Sequence, residues 1–110
     1  MNIDRLQPPP THSERFARSS EKFVPIEAGC YALGTFDGTV LYVGLATNLR
    51  RRLGQHLDSP SKTQETTLGR AVTFHWLPTA DINRVERTWL NTHVHHEGQY
   101  PLLNKVYSPT

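Results

Sequence analysis

The sequence predicts an α/β domain of the α+β kind, with a small, mainly antiparallel three-stranded sheet flanked by helices. Three observations carry this. Two short apolar runs separated by an Asp-Gly pair announce a hairpin, a third alternating run supplies another strand, and two stretches have apolar residues at helical spacing.

The hairpin comes first. "GCYALGT" (29–35) reads as a strand and "TVLYVG" (39–44) as its antiparallel neighbour, with "FDGT" (36–39) carrying the Asp-Gly pair that suits a tight turn. From Thr47, "TNLRRRLGQHL" has helical periodicity, with Thr47 as the expected N-cap. "DSPSKTQETTLG" (58–69) is a polar loop, and "RAVTFHWLP" (70–78) alternates well enough for the third strand. "DINRVERTWLNTHV" (81–94) is a second helix with Asp81 near its positive end. "EGQYPLLNKVY" (97–107) opens on a Gly break and then runs extended. Residues 1–24 differ: "LQPPPTHSERFARSSEKF" mixes Pro, Ser and charge with few apolar residues. That composition predicts a flexible arm, at most with a helical turn around residues 15–19, either idle or touching a partner. The folded domain is then 25–110.

A chain of 110 residues is one ordinary domain. Its net charge of +2 and pI near 8.9 permit a nucleic-acid partner without requiring one. The single Cys30 excludes an internal disulfide and favours a reducing compartment. No apolar run approaches the ~20 residues that cross a bilayer, and "MNIDRLQPPP" does not read as a signal peptide. A cytoplasmic protein without a membrane partner is expected.

The helices place the chemistry. Residues turn by about 100° in a helix, so Leu49, Leu53 and Leu57 share a face with Arg52 and His56, while Arg50 and Arg51 point away. A guanidinium on the sheet-facing side is paired, borders a cleft, or snorkels along the edge; His56 is a catalyst or a packed histidine. On the second helix Ile82, Val85, Trp89 and Leu90 form the stripe, and Glu86 falls inside it, where a carboxylate needs a cation or a metal. Arg87 and Asn91 face water. The chain offers no nucleophilic Ser or Cys with partners and no Gly-rich phosphate loop. One carboxylate with a cation and two phenols, Tyr31 and Tyr42, fits phosphodiester cleavage by metal-activated water.

These residues resemble a known family. "GCY" at 29–31 and "YVG" at 42–44, followed by "NLRRRLGQH", a later helical Glu and a terminal Pro-x-x-Asn, are similar to the GIY-YIG nuclease domain over roughly 24–105. The resemblance implies a GIY-YIG endonuclease-like fold and a divalent-metal-dependent endonuclease acting on DNA, with RNA left open. It implies that Tyr31 positions or deprotonates the attacking water and that Tyr42 contacts the scissile phosphate or its water. Arg52 stabilises the phosphate, His56 matches a histidine of some members, and Glu86 binds Mg²⁺ or Mn²⁺. Asn104 ties the end of the domain to the active-site region, and Gly44 lets the strand turn closely into the helix. Gly29 belongs to the first tripeptide and supports the site, or serves only for backbone freedom. Tyr31 and Tyr42 could also be ordinary cross-strand aromatics.

The chain departs from the family in three places. Cys30 stands where an aliphatic residue is usual, and Leu45 where many relatives carry a lysine. The interval from Glu86 to Asn104 is longer than usual, "HVHHEGQ" reading as an insertion or an extended helix end; Glu97 is the weaker substitute for Glu86. His93 and His96 invite a zinc reading, but no cysteine completes the set. A catalytically inactive nucleic-acid-binding or protein-interaction module is the alternative. With only the arm, the 58–70 loop and the histidine insertion to select a target, low sequence specificity, recognition of DNA structure, or targeting by a protein partner or homo-oligomer is expected.

Overall fold

A computed structural model describes residues 1–104; the end of the expected extended run, 105–107, lies outside them. Four strands form one antiparallel sheet: β1 (His12–Arg15), β2 (Gly29–Gly34), β3 (Val40–Ala46) and β4 (Thr73–Pro78), in the order β1-β4-β2-β3. The helices are α1 (Leu49–Leu57), the short α2 (Pro60–Thr63) inside the expected polar loop, and α3 (Ile82–Glu97). The architecture is the expected α+β sheet flanked by helices, with one more strand than the sequence predicts. No helix among the described residues is long and apolar enough to cross a membrane.

The added strand corrects the reading of the N-terminal segment as a flexible arm. β1 pairs with β4 from His12 opposite Trp76 to Arg15 opposite Thr73, and the His12 ring stacks on Trp76 at 5.3 Å. Upstream, a 3-10 turn at Ile3–Arg5 buries Ile3, and Leu6 and Val24 are fully buried. The Trp89 indole donates to the Pro8 carbonyl at 2.9 Å. The expected helical turn is realised later, as a 3-10 stretch over Arg18–Phe23. Few apolar residues suffice because they cover a sheet face already present, and β1 is bound through backbone pairing that composition does not report.

α1 and α3 cover opposite faces of the sheet. On one face Tyr31, Leu33, Leu41, Phe74 and Trp76 pack with Leu49 and Leu53 of α1. On the other, Cys30, Ala32, Val40 and Val43 pack with Val85 and Trp89 of α3 and with Ile3 and Leu6. A register shift separates these sets on β3: Leu33 faces Tyr42 and Gly34 faces Val40, leaving Leu41 as an extra residue. Such a bulge puts two consecutive side chains on one face. Leu41 and Tyr42 therefore both join the α1 side, and Tyr42 shares a face with Tyr31.

The helix starts differ in detail from the reading. Asn48, not Thr47, caps α1, its side-chain oxygen accepting from Arg51 N at 3.0 Å. Arg51 is exposed, but Arg50 does not point into water: its Nε donates to the Val24 carbonyl at 2.8 Å, clamping the preceding segment. α3 continues through His93–Glu97 to Gly98, which ends it with φ +78, so the histidine stretch is an extended helix end. A turn over Pro101–Asn104 then replaces the first part of the expected extended run.

Candidate active site

Tyr31 sits mid-β2 with its ring against α1, opposite Gly44 of β3. A Cβ at Gly44 would lie 2.5 Å from the Tyr31 hydroxyl oxygen and 2.6 Å from Cζ. The missing side chain is what lets the phenol lie across the neighbouring strand. Gly44 is thus a mid-strand vacancy filled by Tyr31, rather than the exit into the helix that the resemblance implied. Gly29 also serves by space rather than by backbone freedom: its φ is not positive, and a Cβ there would meet the Leu77 carbonyl at 2.6 Å and the Leu49 side chain at 2.8 Å.

Three rings converge beside these strands. Tyr31 and Tyr42 stand 6.0 Å apart between centroids, and the His56 ring lies 5.4 Å from Tyr31 and 5.2 Å from Tyr42, edge-on to the latter. Tyr31 is fully buried, and its hydroxyl is hydrogen-bonded to His56 Nε2 at 2.5 Å. Burial raises the Tyr31 pKa far above the ordinary phenol value, reinforced by Tyr42 and opposed by the positive Arg52. Burial lowers His56 to about 4, with the charges of Lys62 and Arg52 acting the same way. At neutral pH the pair is therefore a phenol and an uncharged imidazole. Arg52, half-buried one turn before His56, is close enough to influence both.

Tyr42 is the half-buried phenol of the pair and borders a cleft of about 900 Å³. The cleft is walled by the 61–67 segment on one side and by Leu90 of α3 and residues 100–104 on the other. Lys62 stands over the Tyr42 ring, its Nζ 4.8 Å from the centroid. Sequence reasoning missed Lys62, which sits in a polar loop with no periodicity to mark it.

Glu86 stands apart from the rings. Val85, Trp89 and His93 turn into the sheet, while Ile82, Glu86 and Leu90 form a half-buried ridge along the flank of α3. Leu90 reaches the cleft, and Glu86 lies four residues earlier, ~6 Å along the axis. Near it, the Cys30 thiol donates to the Ile82 carbonyl at 3.1 Å; burial first and the Glu86 charge second push this thiol up to about 12. Burial raises the Glu86 carboxyl above its ordinary value, and Arg87 opposes this. Among the described residues no ion pair or hydrogen bond engages the Glu86 side chain, nor does one join it to Tyr31, Tyr42, Arg52 or His56. A free, partly desolvated carboxylate is a suitable hard-oxygen donor for a divalent cation.

Asn104 ties the turn after α3 to the edge of β3. Its Oδ1 accepts from Val43 N and its Nδ2 donates to Val43 O, both at 2.8 Å, satisfying the outer edge of β3 next to Tyr42. Glu97 pairs with the amino group of Met1 at 3.0 Å and takes no part in the cleft. His93 is buried and donates from Nδ1 to the Gln99 carbonyl at 2.7 Å, while His95 and His96 are exposed. Among the described residues no group of three or more His, Cys, Asp or Glu side chains converges.

A hairpin of two tyrosines, a following helix that supplies Arg and His, and a later helical Glu define a nuclease-type catalytic domain. Residues 27–97 match the family model of the GIY-YIG catalytic domain, and the chain belongs to that family, whose members are generally endonucleases. The match spans Tyr31, Tyr42, Arg52, His56 and Glu86 and leaves out β1 and Asn104. A search of curated proteins finds no match to this chain.

Proposed function

We propose that the protein is a divalent-metal-dependent endonuclease that hydrolyses phosphodiester bonds in DNA. The observation that carries this reading is the Tyr31–His56–Tyr42 cluster, with Arg52 beside it and its one accessible phenol on a cleft. Tyr42 aligns the water for attack on phosphorus. As the water's oxygen bonds to phosphorus it gives up a proton to solvent, the bond from phosphorus to the opposite oxygen breaks, and the departing oxygen takes up a proton from solvent. Arg52 binds the non-bridging oxygens and stabilises the added charge of the transition state. Tyr31 and the uncharged His56 hold Tyr42 from behind, and the imidazole offers a neutral proton acceptor at the end of the phenol pair. Glu86 would hold Mg²⁺ or Mn²⁺, whose charge would lower the cost of bringing an anionic phosphate to a nucleophile. Asn104 and Gly44 keep β3 and the two phenols in register.

Arg52→Ala and Glu86→Ala should each abolish cleavage of labelled DNA in Mg²⁺ or Mn²⁺, with circular-dichroism melts like the parent's. Full activity in either variant refutes the assignment. A second reading, an inactive nucleic-acid-binding module, is favoured by one observation: the Tyr31 hydroxyl is buried and already engaged by His56. DNA binding that persists in chelator, with no cutting under any metal, would select it.

A further inference from the structure

The cleft beside Tyr42 has a shape and lining that phosphate chemistry alone does not require. We propose that it is a subsite for one unpaired nucleotide next to the scissile phosphate, so that the substrate is DNA with an unstacked base at the cleavage position. This deepens the nuclease reading and rests on it for the place of the scissile phosphate.

Four observations support the subsite. A cleft of about 900 Å³ accommodates a nucleotide, whereas a duplex ~20 Å across does not enter a hollow of that size. Its cationic end is Lys62, over the Tyr42 ring, where a backbone phosphate would lie. Its lining also carries Tyr100 and Leu102, 43% and 37% exposed among the described residues, a phenol and an aliphatic chain open to an occupant. Glu65 also lines the cleft; its carboxylate opposes a phosphate beside it but accepts from an exocyclic amino group, and its only ion pair among the described residues is a long one, 3.7 Å to Arg70. Charge thus orients the occupant, with phosphate toward Lys62 and base toward Tyr100. Stacking on an exposed aromatic ring is sequence-tolerant, because every base has a π-face.

The test uses the full chain in chelator, so that nothing is cut. The probes are a DNA duplex with a single unpaired 2-aminopurine and the same duplex fully paired. Tighter binding of the bulged duplex and quenching of 2-aminopurine are expected. Tyr100→Ala should remove the quench and weaken binding of the bulged duplex roughly tenfold, the scale of one aromatic–base stack. Leu102→Ala should weaken it less. Lys62→Ala should weaken both duplexes and flatten the salt dependence by about one phosphate contact. Equal affinity for the paired and bulged duplexes, or quenching that survives Tyr100→Ala, overturns the subsite. Cleavage in Mn²⁺ with no preference for the bulge also overturns it and leaves the nuclease reading standing. Tyr100-dependent quenching with no cleavage in any metal supports the subsite and removes the hydrolytic reading instead.

Discussion

Gly44→Ala tests the link between the sheet and the phenols. The new Cβ would sit 2.5 Å from the Tyr31 hydroxyl oxygen, 2.6 Å from Cζ and 2.9 Å from a ring carbon of Tyr42, where ordinary contact begins near 3.4 Å. Tyr31 must retreat by about 1 Å, and it has nowhere to go: Phe74 stacks on it at 5.2 Å and His56 holds its hydroxyl. Overpacking of this kind costs about 1–3 kcal/mol, and losing the His56 bond adds about 1. Alanine restricts the unfolded chain and returns about 0.4–1 kcal/mol, since φ at Gly44 is not positive. The balance is a loss of about 1–3 kcal/mol, a melting point lower by roughly 4–8 °C per kcal/mol, together with displaced phenols and a severe loss of cleavage. Thermal melts in two backgrounds decide the matter. In Tyr31→Leu, Gly44→Ala should cost at least 0.5 kcal/mol less, because the closest clash partner is gone while the Tyr42 contact remains. Equal cost in both backgrounds, or a Gly44→Ala protein that melts and cuts like the parent, refutes the account of why glycine stands there.

Three further outcomes follow from the same structure. His56 is held near 4 against an ordinary 6.5, so the unfolded chain protonates first as pH falls. Stability is therefore full above pH 6.5 and declines toward pH 4, by up to about 3 kcal/mol at 1.36 kcal/mol per pH unit. His75 and His93, also lowered by burial, act with the same sign; urea titrations at pH 7 and 4.5 should show the decline, and His56→Gln should reduce it. Asn104→Ala removes both hydrogen bonds to Val43 and should cost about 1–3 kcal/mol, with faster amide exchange at Val43 as its local mark. Leu6→Ala, in a segment whose composition reads as disordered, should cost about 2–5 kcal/mol in a chemical-denaturation curve, because Leu6 is fully buried against the α3 face.

Most of the sheet and both long helices were legible because their signals are local. The Asp-Gly turn, the alternation in "TFHW" and the 3.6-residue spacing of Leu49, Leu53 and Leu57 each declare an element within a few residues. β1 was not, since "HSER" buries none of its four residues and is held by its backbone and the His12–Trp76 stack. The partner of Arg50 was hidden for a related reason: periodicity assigned Arg50 to the side away from the sheet, and the preceding segment that lies there supplies the Val24 carbonyl. Among the site residues, helical spacing anticipated that Arg52 and His56 share a face. Spacing could not tell that the β3 bulge turns Tyr42 onto the Tyr31 face, or that Lys62 closes over Tyr42, because both depend on strand register and loop path.

Residues associated with both faces of the sheet line one cleft. Tyr31, Tyr42, Arg52 and His56 belong to the α1 face, while Glu86 rides on α3, which covers the other. Chemistry shared between two faces of a sheet can meet only around an edge, and β3 is the edge strand beside both helices. Edge strands expose unpaired backbone groups. Here Asn104 satisfies Val43, and the Leu103 amide donates to the Leu41 carbonyl at 2.9 Å, so residues 103–104 blunt the edge while walling the cleft. Leu90 of α3 lines that cleft from one side and Tyr42 from the α1 side. Tyr42 and Leu90, one helical turn from Glu86, thus line the same cleft, and the long α3 with its Gly98 stop delivers residues 100–104 to it.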